Sequence, residues 1–213
     1  MEEIQAAIAD TRKRAEHHSI HRSRNAWANQ IIFRLSCCCG LRSIEIRRLR
    51  VDDFLLGGHR PAIRIRKEAT KGQPHLRRGR LVPLWWDKGT YDDLAKWVTW
   101  RRKRRGPKAL VMRADWATKP NEIAQAELMP SRKLFKRWRT AIQSLGEQRA
   151  GQLGVHCGRH TFCTQSLRAG RSLVEVRDAA GHKSIQMTNN YLHVLNAGNI
   201  PDTFDLSFLD EED

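Results

Sequence analysis

The stretch Gly154-Val-His156-Cys-Gly-Arg159-His160-Thr-Phe162, followed by Gly181-His182-Lys183-Ser184 and then by Tyr191, decides the reading of this chain. A tyrosine can supply a nucleophilic oxygen, and histidines can move protons or donate hydrogen bonds. An arginine fork can hold the non-bridging oxygens of a phosphate. In this order the residues are the parts needed to attack a phosphodiester without a metal. Singly they carry little weight, because a lone helix tyrosine is by default a core residue and a lone H-x-x-R is a weak signal.

Charge points the same way. Lys and Arg number 39 against 23 Asp and Glu, a formal net charge of +16 with a pI near 10.4. Such an excess favours a polyanionic partner, since neutralised phosphates release counterions. Basic clusters stand at Arg47-Arg48-Leu-Arg50 and over 64–80, 101–105 and 132–139, whereas 210–213 is wholly acidic. No apolar run approaches the roughly 20 residues that span a bilayer. No signal peptide precedes the first charges, and the basic segments lack a long amphipathic helix with an apolar face to insert. Double-stranded DNA is therefore a better partner than a membrane, and a cytoplasmic, nucleoid-associated protein is expected.

Five cysteines, three of them consecutive at Cys37, Cys38 and Cys39, make a poor disulfide framework and lack the C-x-x-C spacing of a zinc site. They read as small buried residues on a helix. His17, His18 and His21 read as solvated. With no carboxylate or Cys/His cluster of metal-ligand spacing, neither a metal nor another cofactor is expected.

The chain shows no repeat and no Pro/Ser-rich linker, so 1–213 reads as one domain. Helical spacing of apolar residues runs over 4–17 and 25–39, with Gly40 as a helix end. Ser43 is a plausible N-cap for a short helix through Leu49. Ala62-Ile-Arg-Ile-Arg66 and Arg80-Leu-Val82 alternate, and Lys71-Gly-Gln-Pro74 with Gly79 marks a turn between them. Further helices are expected through Leu94 and Trp97 to Arg105, from Ser131 to near Gly146, over 160–169 and over 173–180. An extended segment is expected at Ala109-Leu-Val-Met112. Most of the seven tryptophans fall in helical periods and read as core anchors. The fold class is mainly α with a small antiparallel β-hairpin or sheet.

These residues carry a resemblance over 26–195. The chain resembles the catalytic domain of the tyrosine recombinase (phage integrase) family. Cys39-Gly-Leu-Arg42-Ser-Ile-Glu45-Ile-Arg-Arg-Leu49 is similar to the family's T-G-L-R-x-x-E-L-x-x-L box. Thr70-Lys71-Gly and Arg80-Leu-Val-Pro83-Leu resemble its hairpin, and Thr188-Asn-Asn-Tyr191-Leu-His193 its T-x-x-Y-x-H segment. Cys157-Gly158 stands where the family usually has Asp-Leu, and glycine there is expected to loosen the approach to Arg159.

The resemblance implies catalytic roles for Arg42, Lys71, His156, Arg159, His182 and Tyr191. Tyr191 would attack a scissile phosphate, leaving a 3′-phosphotyrosyl link and a free 5′-hydroxyl. Arg42 and Arg159 would stabilise the charge that develops, and His182 would donate a hydrogen bond. Lys71, with Lys67 close by, would be the acid for the departing oxygen, and His156 the base or proton shuttle. Glu45 would support Arg42, while His160 and His193 read as packing or capping residues. Arg47, Arg78, Arg80 and Lys183 are expected to contact DNA.

A homo-oligomer on DNA is implied, with 196–213 exchanged with a neighbouring protomer, and the family's N-terminal core-binding domain reads as absent. Two alternatives stay open: a DNA-binding protein of the same fold without productive cleavage, and a type IB topoisomerase.

Overall fold

The N-terminal helical periodicity becomes α1 (Glu2–Glu16) and α2 (Ile20–Phe33), and α2 widens into a π-helical turn at Arg34–Cys38. The computed structural model describes residues 2–16, 20–70, 78–85, 88–112 and 128–196. The π turn takes an extra residue, with the Cys39 N–H donating to the Arg34 carbonyl at 3.1 Å. Leu35, Cys37, Cys38 and Cys39 are thereby all fully buried, as small core residues rather than ligands or disulfide partners. Gly40 then turns the chain at φ +63°, where a Cβ would lie 2.4 Å from the Phe162 ring. Backbone sign and packing both demand glycine there.

The π turn also buries a charge. Arg34 donates to the Asp93 carboxylate at 3.0 Å and to the Thr90 hydroxyl at 3.1 Å, and Gln30 donates to the same carboxylate at 3.0 Å. Thr90 and Asp93 stand on α4 (Lys88–Arg105), so a paired, hydrogen-bonded guanidinium clips α2 to α4 instead of costing its desolvation alone. Gly106 and Pro107 end α4. The segment beyond is extended as expected, with the Val51 N–H on the Ala109 carbonyl and the Val111 N–H on the Leu49 carbonyl, both 2.9 Å.

Strands β1 (Phe54–Leu55), β2 (Ala62–Ile65) and β3 (Arg80–Pro83) form an antiparallel sheet in that order. Ile63 faces Val82 and Ile65 faces Arg80. The period-2 pattern is legible in burial, since Ile63, Ile65 and Val82 are buried while Arg64 and Leu81 face out.

On the other side of the core, α5 (Ser131–Ala141) buries Leu134 and Trp138. The Trp138 ring stacks on Phe33 with centroids 5.9 Å apart, and its Nε1–H donates to the Leu153 carbonyl at 2.8 Å. Trp27 and Trp97 are core residues as well, Trp85 and Trp100 are half-buried, and Trp86 and Trp116 lie outside the described residues.

The C-terminal part holds α6 (Glu147–Gln152), α7 (Val155–Arg168), α8 (Leu173–Ala180) and α9 (Ile185–Asn196). The fold is mainly helical with a small antiparallel sheet, as the sequence predicted. Three local expectations change. Ser43 is the first residue of α3 (Ser43–Arg48), not its cap; Arg42 holds the cap position, and the Glu45 carboxylate accepts from its N–H at 2.9 Å. Helix α7 begins at Val155 rather than at 160, so the box histidine and arginine ride on the helix itself. Helix α6, only six residues long, was not anticipated.

Candidate active site

Helix α7 supplies three of the site's side chains from one face. His156, Arg159, His160 and Cys163 recur at the i, i+3, i+4, i+7 spacing that stacks side chains on a helix. The helix lies hard against the π turn. The Ser36 hydroxyl donates to the Val155 carbonyl at 2.7 Å, and a Cβ on residue 158 would stand 2.3 Å from the Ser36 Oγ. Gly158 therefore tightens the seat of Arg159, the opposite of the loosening expected from the sequence.

Arg159 is buried, donating to the carbonyls of Gly40 (2.7 Å) and Ala180. Burial, with the neighbouring Arg42 charge next, brings its pKa down to about 10, which leaves it cationic at neutral pH. Arg42 is partly exposed and donates to the Gly181 carbonyl at 3.1 Å and to Glu45 at 3.2 Å. Two guanidinium groups thus converge on the C-terminal carbonyls of α8, the negative end of a helix dipole.

Glu45 ties the cluster together. Its carboxylate is fully buried and accepts two hydrogen bonds from Arg80, 2.8 and 2.9 Å long, besides those from Arg42. Burial alone would raise the Glu45 pKa; the Arg80 fork and charge, with the Arg42 amide and charge, hold it below the usual carboxylate value. Arg80 also donates to the Ala179 carbonyl at 2.7 Å. Expected on the DNA face, Arg80 is turned inward and locks β3 to α3 and α8. Three guanidiniums here meet one carboxylate, so the pocket is cationic and suited to an anion.

The loop after α8 places the remaining groups. Ser172 and Glu175 form a capping box at its start, and Gly181 ends it at φ +69° with its N–H on the Arg177 carbonyl at 2.8 Å. A Cβ at 181 would meet the Arg80 guanidinium at 2.9 Å, a second reason for glycine. His182 follows directly, and its Nδ1 lies 2.8 Å from the buried Thr188 hydroxyl. Burial first, then the charges of Arg159, Arg42 and Arg80, push its pKa down to about 3. Burial thus favours neutral His182, and the tautomer in which Thr188 donates to Nδ1 carries its proton on Nε2.

Tyr191 stands one turn after Thr188 on α9, half-buried, with its ring parallel to His182 at 6.0 Å between centroids. The Tyr191 hydroxyl lies 3.0 Å from Nδ1 of His160. Burial raises the phenol pKa further than the Arg159 and Arg42 charges lower it, and Cys163 beside it adds to the rise. Cys163 itself is a thiol pushed up to about 11 by burial. His156, mostly exposed, meets His160 edge-on with rings 4.7 Å apart.

The structure thus brings together Arg42, Glu45, His156, Arg159, His182 and Tyr191 from four separate stretches of sequence. It adds His160, which the sequence reading took for a packing residue; its i+4 relation to His156 was the available signal. Lys71 lies outside the described residues, and Lys67 is exposed in a 3-10 turn (Lys67–Ala69). Arg47 is half-buried, donating to Ser131 at 2.9 Å and to the Met129 carbonyl. Arg78 and Lys183 are exposed. Beside the site opens a cleft of about 550 Å³ whose lining includes Arg42, Arg47, Arg48, Thr70, Phe135 and His156. Basic residues are also exposed on α4 (Arg102, Lys103, Arg104) and on α5 (Arg132, Lys136, Arg139).

Among the described residues no helix is long and apolar enough to cross a membrane, and no cluster of three or more His, Cys, Asp or Glu side chains could hold a metal.

A helical catalytic domain with two arginines, a histidine and a tyrosine around one cationic pocket defines a class, and comparison with known proteins agrees. The phage integrase family matches residues 3–197, and the chain belongs to that family. No curated protein sequence matches significantly.

Solved structures share the fold. XerA recombinase is 17% identical with a TM-score of 0.63, over 94% of this chain and 62% of that one. The XerH site-specific recombinase, in a pre-cleavage complex with its difH substrate, is 22% identical with a TM-score of 0.62, over 93% and 51%. The Tn1549 transposon integrase, in complex with transposon right-end DNA, is 16% identical with a TM-score of 0.54, over 91% and 62%. The chain therefore spans about half to three-fifths of the length of these relatives.

Proposed function

We propose that this protein is a site-specific DNA recombinase that cuts and rejoins a DNA strand by transesterification on Tyr191. One observation carries the reading: a tyrosine hydroxyl faces a histidine nitrogen at 3.0 Å beside two converging guanidiniums whose charges both act on it. The Tyr191 oxygen attacks the scissile phosphorus, a 3′-phosphotyrosyl bond forms and the bond to the 5′ oxygen breaks. Arg42 and Arg159 bind the non-bridging oxygens, where negative charge builds, and neutral His182 donates its Nε2–H to one of them. Lys71 is the family-derived acid for the leaving 5′ oxygen. The covalent bond conserves the energy of the broken one, so the 5′-hydroxyl can attack it and restore the strand.

The preference for an anion follows from electrostatics. Without DNA, the cationic excess around Glu45 rests against backbone carbonyls; a phosphate replaces that weak compensation with full charge and bidentate hydrogen bonds. The 550 Å³ cleft and the basic faces of α4 and α5 extend the contact to double-stranded DNA. Solved relatives hold their DNA substrates, which supports the same partner here. Assembly on DNA into a homo-oligomer, with 196–213 reaching a neighbouring protomer, is part of the proposal.

Covalent trapping tests it. A nicked duplex lets the cut strand diffuse away, so protein joined to DNA survives denaturation. An adduct formed by the wild type and missing in Tyr191→Phe supports the reading; DNA binding with no adduct from any duplex contradicts it. Relaxation of a plasmid lacking any preferred site assigns the same chemistry to a topoisomerase instead.

A further inference from the structure

We propose that His160 is the general base that takes the phenolic proton of Tyr191. This rests on Tyr191 being the nucleophile. His160 Nδ1 is within hydrogen-bond reach of the reacting oxygen at 3.0 Å, the distance a base needs for direct transfer. His156, assigned that task from the sequence, contacts the edge of the His160 ring instead. The other neighbours are unsuited. Cys163 is a protonated thiol, and a thiol with a raised pKa draws no proton from a phenol at neutral pH. His182 has its Nδ1 on Thr188 and lies ring-to-ring with Tyr191.

The need for a base is equally plain. Burial holds Tyr191 as a neutral phenol, so its O–H must break as its O–P bond forms. In that step the proton passes to His160 Nδ1, the oxygen's electron pair forms the bond to phosphorus, and the bond to the 5′ oxygen breaks. A separate acid protonates that leaving oxygen. In the reverse step the imidazolium returns its proton to Tyr191 as the tyrosine departs. The His160 ring contacts Tyr191 on one side and His156 on another. A bound phosphate supplies the negative charge that supports the imidazolium once the proton has moved.

The experiment uses the full chain and a library of nicked duplexes randomised at the nick, with adducts recovered under denaturing conditions. His160→Ala removes the ring. His160→Asn keeps a hydrogen-bonding group near Nδ1 but cannot take a proton, so it separates a base from a mere positioning contact. Both variants are expected to form adduct about 100- to 10,000-fold more slowly. Binding of unnicked DNA and the thermal midpoint stay near wild type, and added imidazole restores part of the His160→Ala rate. Adduct formation by His160→Asn at the wild-type rate overturns the assignment and leaves Tyr191 untouched. Absence of adduct from the wild type itself overturns the reading of Tyr191, and this inference with it.

Discussion

Arg80 and Glu45 form a two-pronged ion pair, 2.8 and 2.9 Å, in which the carboxylate is wholly buried and its other partner is Arg42. The pair joins the strand leaving the hairpin to the helix that Arg42 caps. Removing one partner of a buried pair leaves an uncompensated charge, at a typical cost of about 3–5 kcal/mol. Arg80→Met is therefore expected to lower the unfolding free energy by about 3 kcal/mol. Cleavage should fall further than DNA binding, because Glu45, left with Arg42 as its one guanidinium partner, draws Arg42 towards itself. Denaturant unfolding checks the first part; an unchanged midpoint would mean that Glu45 is satisfied without Arg80.

Gly158 gives a second, purely steric prediction. A methyl group there would overlap Ser36 Oγ, with Cys37 Sγ and Ser36 Cβ each 3.0 Å away. Overpacking of this kind costs about 1–3 kcal/mol. Gly158→Ala should lose stability in that range, and Gly158→Ala with Ser36→Ala should recover part of it. If the single variant unfolds like wild type, the close seat of α7 on the π turn is wrong.

How much of this was legible in the sequence depends on the range of the interaction. The ordered set Arg42, His156, Arg159, His182 and Tyr191 was readable because each sits in a local motif, and the hairpin because its alternation is local as well. The partners of Arg80 and His160 were not. An arginine in a basic strand reads as a phosphate contact until its partner Glu45, 35 residues earlier, is seen to take it inward. A histidine after Arg159 reads as packing until α9 brings Tyr191 over it. Gly158 misled for the same reason, since a glycine's meaning lies in what occupies the space beside it, here Ser36.

Protonation gives a third test. The folded His182 value of about 3 lies below the ordinary histidine value, so the unfolded chain binds the proton first as pH falls. Stability contributed by neutral His182 is whole above about pH 6.5 and is lost progressively below it, and His156 is displaced in the same direction. The thermal midpoint should therefore fall between about pH 7 and 5.5, and His182→Asn, which does not titrate, should flatten that fall. Identical slopes for the two proteins would contradict the assigned environment.

Arg42 and the exposed basic helix α5 should separate chemistry from attraction. Arg42→Ala is expected to slow adduct formation about 100- to 1000-fold while leaving most binding intact, the cost of one transition-state donor. Arg132→Ala or Lys136→Ala should weaken binding to all sequences alike and shallow the log–log salt slope by about one unit if the residue meets a phosphate. Wild-type cleavage by Arg42→Ala would remove it from the phosphate clamp. A salt-independent affinity would contradict the electrostatic account of the basic surface.

The most direct test of the central claim is mass-spectrometric mapping of the DNA adduct captured on nicked duplexes, with Tyr191→Phe alongside. The account predicts one nucleotide-bearing peptide containing Tyr191, joined through a 3′-phosphate, and none in the variant. An adduct at another residue, or one that persists in Tyr191→Phe, would contradict it.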